Sequence, residues 1–232
     1  MSKVLCTICM RGGSKGVKNK NLYKINRKPL LYYTINQAIK SKLFSHIVVS
    51  TDSSIIAKMS KKYGADVFFK RSKKMSNSKS AKMPVIRHAF IQSEKHYKKK
   101  FEYIFDLDAT SPLRNVKDII NSFKLIKKEK SNNLISGCIA NKSPYFNQIE
   151  FKNNKYNLVK KNRVKKIIRR QDSPIVYDMN ASIYIWTRKQ LLKSDNLFTK
   201  KTSLYIMPQE RSCDIDTSTD LEFVKYMMKK FK

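Results

Sequence analysis

Three stretches of this chain carry residue types suited to phosphate and metal chemistry. Residues 11–21 read RGGSKGVKNKN, with three glycines, four cations and no acid. The whole chain has 5 glycines, so placing three of them within five residues serves the backbone. Glycines let successive N–H groups converge on an anion, with Arg11 and Lys15 adding charge. Near the C-terminus, DIDT offers Asp214 and Asp216. In a strand, a spacing of two puts both carboxylates on one face. There they can bind Mg²⁺, a hard cation that prefers oxygen ligands and keeps several waters. Mid-chain, residues 106–114 read DLDATSPLR, and residues 169–172 read RRQD.

Each stretch has a plainer reading. A basic glycine-rich loop can be an ordinary turn. DIDT can cap a helix through Asp216 or Thr217. RRQD can be a surface ion-pair cluster, and TSPLR a strand-to-helix turn held by Pro112. Asp52, in STDSS, reads better as a helix cap than as a ligand. Two well-known phosphate loops are excluded for residues 11–21. No G-K-[ST] follows the glycines, and no helix follows directly, as a dinucleotide fingerprint requires.

The elements that must position these residues alternate along the chain. Short Ile/Val/Phe-rich runs at 4–9, 46–50, 65–69, 103–107, 133–139, 182–186 and 203–207 read as strands buried on both faces. Helical periodicity lies between them, at 29 to about 43, 53–63, 84–97, 116–130 and 217–231. Pro29 suits the first helical position, and Gly64 a helix C-terminus. In the last helix Leu221, Val224, Met228 and Phe231 form an apolar stripe for packing. This pattern predicts an α/β fold, a mostly parallel sheet with helices on both faces. At 144–174 the alternation weakens. Extended pieces around KNNK there predict an antiparallel extension, a lid or an oligomer contact, within one domain spanning 1–232. In open α/β sheets ligands bind beyond the carboxyl ends of the strands, and the polar clusters RGGSKG, STDSS, KRS, DLDATSPLR and DIDT all fall at such ends.

Composition narrows the partners. The formal net charge is +33 from 50 Lys+Arg against 17 Asp+Glu, which would attract nucleic acid, a membrane surface or a phosphorylated metabolite. The lysines are spread along the chain, in the manner of drift in an AT-rich genome. No arginine-aromatic motif of a common nucleic-acid fold is present. A specific nucleic acid or membrane partner is therefore not expected. No run approaches about 18 apolar residues and no signal peptide is visible, so the expectation is a cytoplasmic protein. Cys6 and Cys9 form a C-x-x-C inside a predicted strand, where residues three apart face opposite ways. They read as reduced core thiols.

In order and spacing, RGGSKGVKNKN, VVSTD, LDATSPLR, RRQD…YDMNASIY and DIDT resemble the CMP-sialic acid synthetases, the acylneuraminate cytidylyltransferases. The resemblance runs from about residue 3 to about residue 223. Kdo cytidylyltransferases are similar in fold, but their first loop differs. The resemblance implies a homodimer built partly by the 144–174 segment, and an Mg²⁺-dependent reaction. In it, CTP and an acidic nine-carbon sugar of sialic, legionaminic or pseudaminic type give CMP-sugar and pyrophosphate. It also implies roles for single residues. Arg11, Ser14 and Lys15 would hold the triphosphate, and Asn21 the nucleotide. Arg71, Ser78 and Ser80 would close around the cytidine. Asp108 would lie near the sugar, where some members have Gln. Arg170, Lys15 and Asp216 would act in catalysis, Asp216 as acceptor of the proton of the attacking hydroxyl, and Arg169 toward the acidic sugar, while Asp214 and Asp216 would bind metal. Asn77, Asp108 and Asp178 depart from the family pattern, and the last two put the identity of the sugar in question more than the reaction.

Overall fold

In the computed structural model of the chain, residues 3–14, 16–77, 80–161, 167, 169–193 and 195–230 are described, Arg170 by its backbone alone. The elements run β1 (Val4–Cys9), β2 (Lys24–Ile25), β3 (Lys28–Pro29), α1 (Leu30–Ser41), β4 (His46–Ser50), α2 (Ser54–Lys62), α3 (Lys82–Tyr97), β5 (Tyr103–Leu107), α4 (Val116–Lys128), β6 (Asn133–Ile139), β7 (Ile149–Lys152), β8 (Lys155–Leu158), β9 (Tyr177–Thr187), α5 (Arg188–Lys193), β10 (Thr202–Ile206) and α6 (Ser218–Lys230).

Six strands form one sheet in the order β10-β6-β9-β5-β1-β4. All neighbours pair in parallel except β9, which is antiparallel to both β5 and β6. β1 lies inside the sheet and its VLCTIC run is almost wholly buried, as a strand covered on both faces requires. Its alternate side chains feed two cores. Val4, Cys6 and Ile8 pack with Leu31 and Ile35 of α1, Ile56 of α2 and Ile119 of α4. Leu5, on the other face, packs with Ile86 and Phe90 of α3 and Leu191 of α5. The fold class is therefore the expected one. Among the described residues, no helix is long and apolar enough to cross a membrane.

Several local expectations change. Residues 65–69 form no strand, only one bridge between Val48 and Asp66. Their aromatic rings turn instead onto α3, with Phe68 stacked on His96 and Phe69 edge-on to His88. β9 begins at Tyr177, before the expected 182, and pairs with β6 across a register shift between Ile135 and Gly137. Ala181 there has a φ of 51°. α1 begins at Leu30, with Pro29 as its extended N-cap. Pro29 also closes the β2–β3 hairpin, whose turn residues Asn26 and Arg27 both have positive φ. At 144–174, β7 and β8 form an antiparallel hairpin around Asn153 and Asn154, again with positive φ at both, the geometry a two-residue hairpin turn demands. The four cysteines are free. Cys6 is in the core, and Cys9 opens onto the cleft described below.

A third apolar cluster matters most for the site. Leu221, Val224 and Met227 of α6 pack with Leu30, Leu113 and Ile215. Ile215 is fully buried, and its N–H donates to Thr110 O at 3.0 Å. The DID segment is thus pinned beside the turn that follows β5.

Candidate active site

A cleft lies at the carboxyl ends of β1 and β5 and has two lobes. The larger, about 390 Å³, is lined by Arg11, Ser14, Gly16, Lys20, Asn21, Thr110, Asp214 and Asp216 among others. The smaller, about 270 Å³, is lined by Arg71, Met75, Asn77, Ser80, Lys82 and Val85 among others. Cys9, Arg11 and Asp108 border both, so the lobes join over those three residues.

The loop after β1 is held open by side chains reaching its backbone. Asp52 Oδ1 accepts from Gly12 N at 2.9 Å, and Asn21 Nδ2 donates to Arg11 O at 3.2 Å. Asp52 is therefore a loop clamp; the cap of α2 is Ser53, whose Oγ accepts from Ile56 N. Of the three loop glycines, Gly16 has the plainest reason. A Cβ there would stand 1.9 Å from Asp216 O, whereas Gly13 has open space. The loop and the DID segment meet at Gly16. Arg71 is buried beneath the smaller lobe, with Nε donating to Ser76 Oγ at 3.0 Å. Ser80 Oγ donates to Lys74 O.

Asp214 and Asp216 both border the larger lobe, but residues 212–216 form no strand. They share a side because Ile215, between them, is committed to the core. Asp216 is open, its side chain 76% exposed, and pairs with Lys20 Nζ at 3.0 Å. Lys20 also donates to Ile215 O. Asp216 does not cap α6. Thr217 does, through a reciprocal pair in which its Oγ1 accepts from Asp220 N and Asp220 Oδ2 accepts from Thr217 N, a capping box. Asp214 is different. Its Oδ1 is buried with no hydrogen-bond partner among the described residues. Burial, then the Asp108 charge, push its carboxyl up to about 6, with Asp216 adding and Thr110 and Lys20 opposing. A cation beside that oxygen would relieve both effects.

The resemblance implies a metal, and these two residues fit a divalent one. Among the described residues no group of three or more His, Cys, Asp and Glu is gathered for a metal. Two carboxylates suit a hard divalent cation, which can take its other ligands from water.

Asp108, expected beside the sugar, is not a bare carboxylate. Lys82 Nζ lies 2.8 Å from its Oδ2 and 3.2 Å from Asp106 Oδ2. Thr110 donates to Oδ1 through both N and Oγ1. Burial raises the Asp108 carboxyl, but Lys82 and Thr110 outweigh it and hold the group well below the usual carboxylate range. Under the turn, Arg114 is 1% exposed. It donates to Ser182 O, to Thr34 Oγ1 at 3.0 Å and to Gln37 Oε1 at 3.1 Å. The TSPLR turn is thus tied to α1 and β9 by a buried guanidinium as well as by Pro112.

Other expected site residues are not brought to this cleft, or lie outside the description. Arg169 is exposed and pairs with Asp172 at 3.0 Å, the plain surface reading of RRQD. It borders neither lobe. Lys15, Ser78 and the side chain of Arg170 lie outside the described residues. Conversely, nothing in the sequence marks Lys82 among 50 Lys+Arg, and Lys20, one of the four cations of the 11–21 loop, had no role of its own. Arg114 stood inside a quoted motif with no role given to it.

Comparisons with known proteins agree with this geometry. A protein "Post-translational flagellin modification protein B" of Campylobacter coli is 47% identical over 99% of this chain and 96% of its own length. "CMP-N,N'-diacetyllegionaminic acid synthase" of Campylobacter jejuni is 47% identical over 98% of this chain and 96% of its own. The solved structure of CMP:2-keto-3-deoxy-manno-octonic acid synthetase complexed with CTP covers 100% of both chains at 14% identity with a TM-score of 0.70, a likeness of fold. A family model described as "Cytidylyltransferase" matches residues 5–230, and with the two-lobed cleft at the strand ends this places the chain in the cytidylyltransferase family of nucleotidyltransferases.

Proposed function

We propose that this enzyme transfers CMP from CTP to a nonulosonic acid of the legionaminic type, releasing pyrophosphate, with Mg²⁺ as its metal. The observation that carries the reading is the facing arrangement in one cleft of the Gly-rich loop, with Arg11, and the unpartnered Asp214 oxygen. The 47% identity to a protein named for a legionaminic acid supports that sugar class. In this reading a sugar hydroxyl attacks the α-phosphorus in line. The bond to the bridging oxygen breaks and pyrophosphate leaves with the electron pair, so that charge and positioning set the barrier. Arg11, Ser14 and Lys15 hold phosphate oxygens, and Asn21, Arg71, Ser78 and Ser80 the nucleoside. Asp214 and Asp216 hold Mg²⁺, which when bound offsets charge on the phosphates, and Asp216 takes the hydroxyl proton. Arg170 meets the acidic sugar and Asp108 lies beside it, whereas Arg169, turned to Asp172 and bordering neither lobe, would have to leave that pair to reach the sugar. The family resemblance supports these last assignments and those of Lys15 and Ser78.

The same reading makes the molecule one domain and a cytoplasmic homodimer. Ile139, Phe151, Tyr156 and Ile175 expose apolar side chains along 139–176. Ile139 and Ile175 line a hollow of about 350 Å³ together with Pro174. Apolar surface of this extent fits a covering partner, here a second copy.

With Mg²⁺ present, CTP should raise the melting temperature and the other three nucleoside triphosphates should not. A ligand at 100 times its Kd adds about 2.7 kcal/mol. Pyrophosphate release should then be fastest with a legionaminic-type acid among legionaminic, pseudaminic, sialic and Kdo-type acids. Equal shifts from all four triphosphates, with no release from any acid, would sink the proposal. Gly16→Ala tests the loop. The added methyl must displace the loop from Asp216 O, and the KM for CTP should rise at least about tenfold, since small misplacements of a positioning element cost that much or more. An unchanged KM would show that the contact can slide without consequence.

A further inference from the structure

Two carboxylates lie at and beneath the joint between the lobes. Asp106 is fully buried, and Thr7 Oγ1 donates to its Oδ1 at 2.9 Å. Asp108 borders both lobes. This is an acidic floor in a cleft that must admit a triphosphate. Lys82, at the start of α3, is the counterweight. Its ammonium touches both Asp106 and Asp108 and sits 4.8 Å from the centre of the Tyr184 ring. A third of its side chain, 36%, remains open to the cleft.

Resting on the reading of the cleft as a CTP site, we infer that Lys82 is a positioning residue whose single positive charge offsets one of the two charges of the Asp106–Asp108 pair, so that the joint between the lobes accepts anionic substrate. Without it, Asp108 at the joint and the buried Asp106 beneath it would leave two unbalanced charges close to the phosphates, and partly buried charges are screened less than exposed ones. The ammonium also orients Asp108. With Oδ2 on Lys82 and Oδ1 on Thr110, that carboxylate presents one fixed set of acceptor lone pairs to whatever N–H or O–H the sugar brings.

The test compares charged and uncharged ligands of one site. Lys82→Met should weaken CTP binding at least tenfold, while the uncharged nucleoside cytidine changes by less than about twofold in a ligand-observed NMR titration. Adding Asp108→Asn to Lys82→Met should bring CTP back to within about threefold of wild type, since an amide needs no counter-charge. Lys82→Arg should stay within that range too. If Lys82→Met does not fold, Lys82→Gln removes the same charge while keeping a donor and reads the same quantity. A parallel loss of CTP and cytidine would show a merely structural lysine and overturn the inference. So would unchanged CTP binding, or no recovery in the double variant. A wild-type protein that binds no CTP would instead overturn the function proposed above, and this inference with it.

Discussion

Asp214→Asn should reduce pyrophosphate release by at least about 10²-fold, the scale of losing a preorganised electrostatic group, and should at the same time stabilise the metal-free protein at pH 8. The two effects share one cause. The Asp214 carboxyl is raised to about 6 from 3.8 by burial and by Asp108. Between those values the native state binds more protons than the unfolded chain, so stability falls as pH rises from about 4 to about 6 and stays reduced above. Allowing for the partial exposure of the group, the penalty is on the order of 1–2 kcal/mol. Asparagine removes the charge and with it the penalty. Adding Mg²⁺ at pH 8 should raise the melting temperature of wild type and leave the variant unmoved. Thermal denaturation at pH 4.5 and pH 8, with and without the ion, reads all of this. A variant that turns over normally, or that is less stable than wild type at pH 8, would remove Asp214 from the proposed metal site.

The second large effect is on stability. Arg114→Leu should cost about 3–5 kcal/mol, the range for breaking a buried polar network and leaving its partners unpaired. The guanidinium answers Thr34 and Gln37 of α1 and Ser182 of β9, and leucine answers none. Burial drops its own pKa to about 10, with charges such as Cys6 and Asp108 opposing, yet it stays charged near neutral pH. With total stabilities of 5–15 kcal/mol usual for a domain, a loss of that size brings the chain close to unfolding. A urea titration measures it. A midpoint shift equivalent to under 1 kcal/mol would mean that the turn is held by Pro112 and packing instead.

Much of this was legible in residue order. The strands at 4–9, 46–50, 103–107 and 133–139 appear with the same bounds, because a strand buried on both faces has to be a short unbroken apolar run and little else in the chain looks like one. Helices such as Ser54–Lys62 follow from local signals, a serine cap and a glycine stop. The misses have a common origin. Residues 65–69 have strand composition, but Phe68 and Phe69 gain more by packing on α3 than by extending an edge. The β2–β3 hairpin turns on Asn26 and Arg27, a pair without the glycine that usually announces such a turn.

The site divides in the same way. What the sequence by itself determined were the contributions that a few adjacent residues make together: a glycine loop able to gather N–H groups, a DID able to offer two carboxylates, and their order along an alternating chain. That was enough to reach the cytidylyltransferase family. What only the tertiary structure decided is which charges meet. Lys20 reaches Asp216 across 196 positions, Lys82 reaches Asp108 across 26, and Arg114 reaches Thr34 across 80. In a chain carrying +33, cations are too common for composition to mark three of them. Coulomb attraction acts on distance in space, and that distance is set by the packing of β1, β5, α1 and α6 around the cleft.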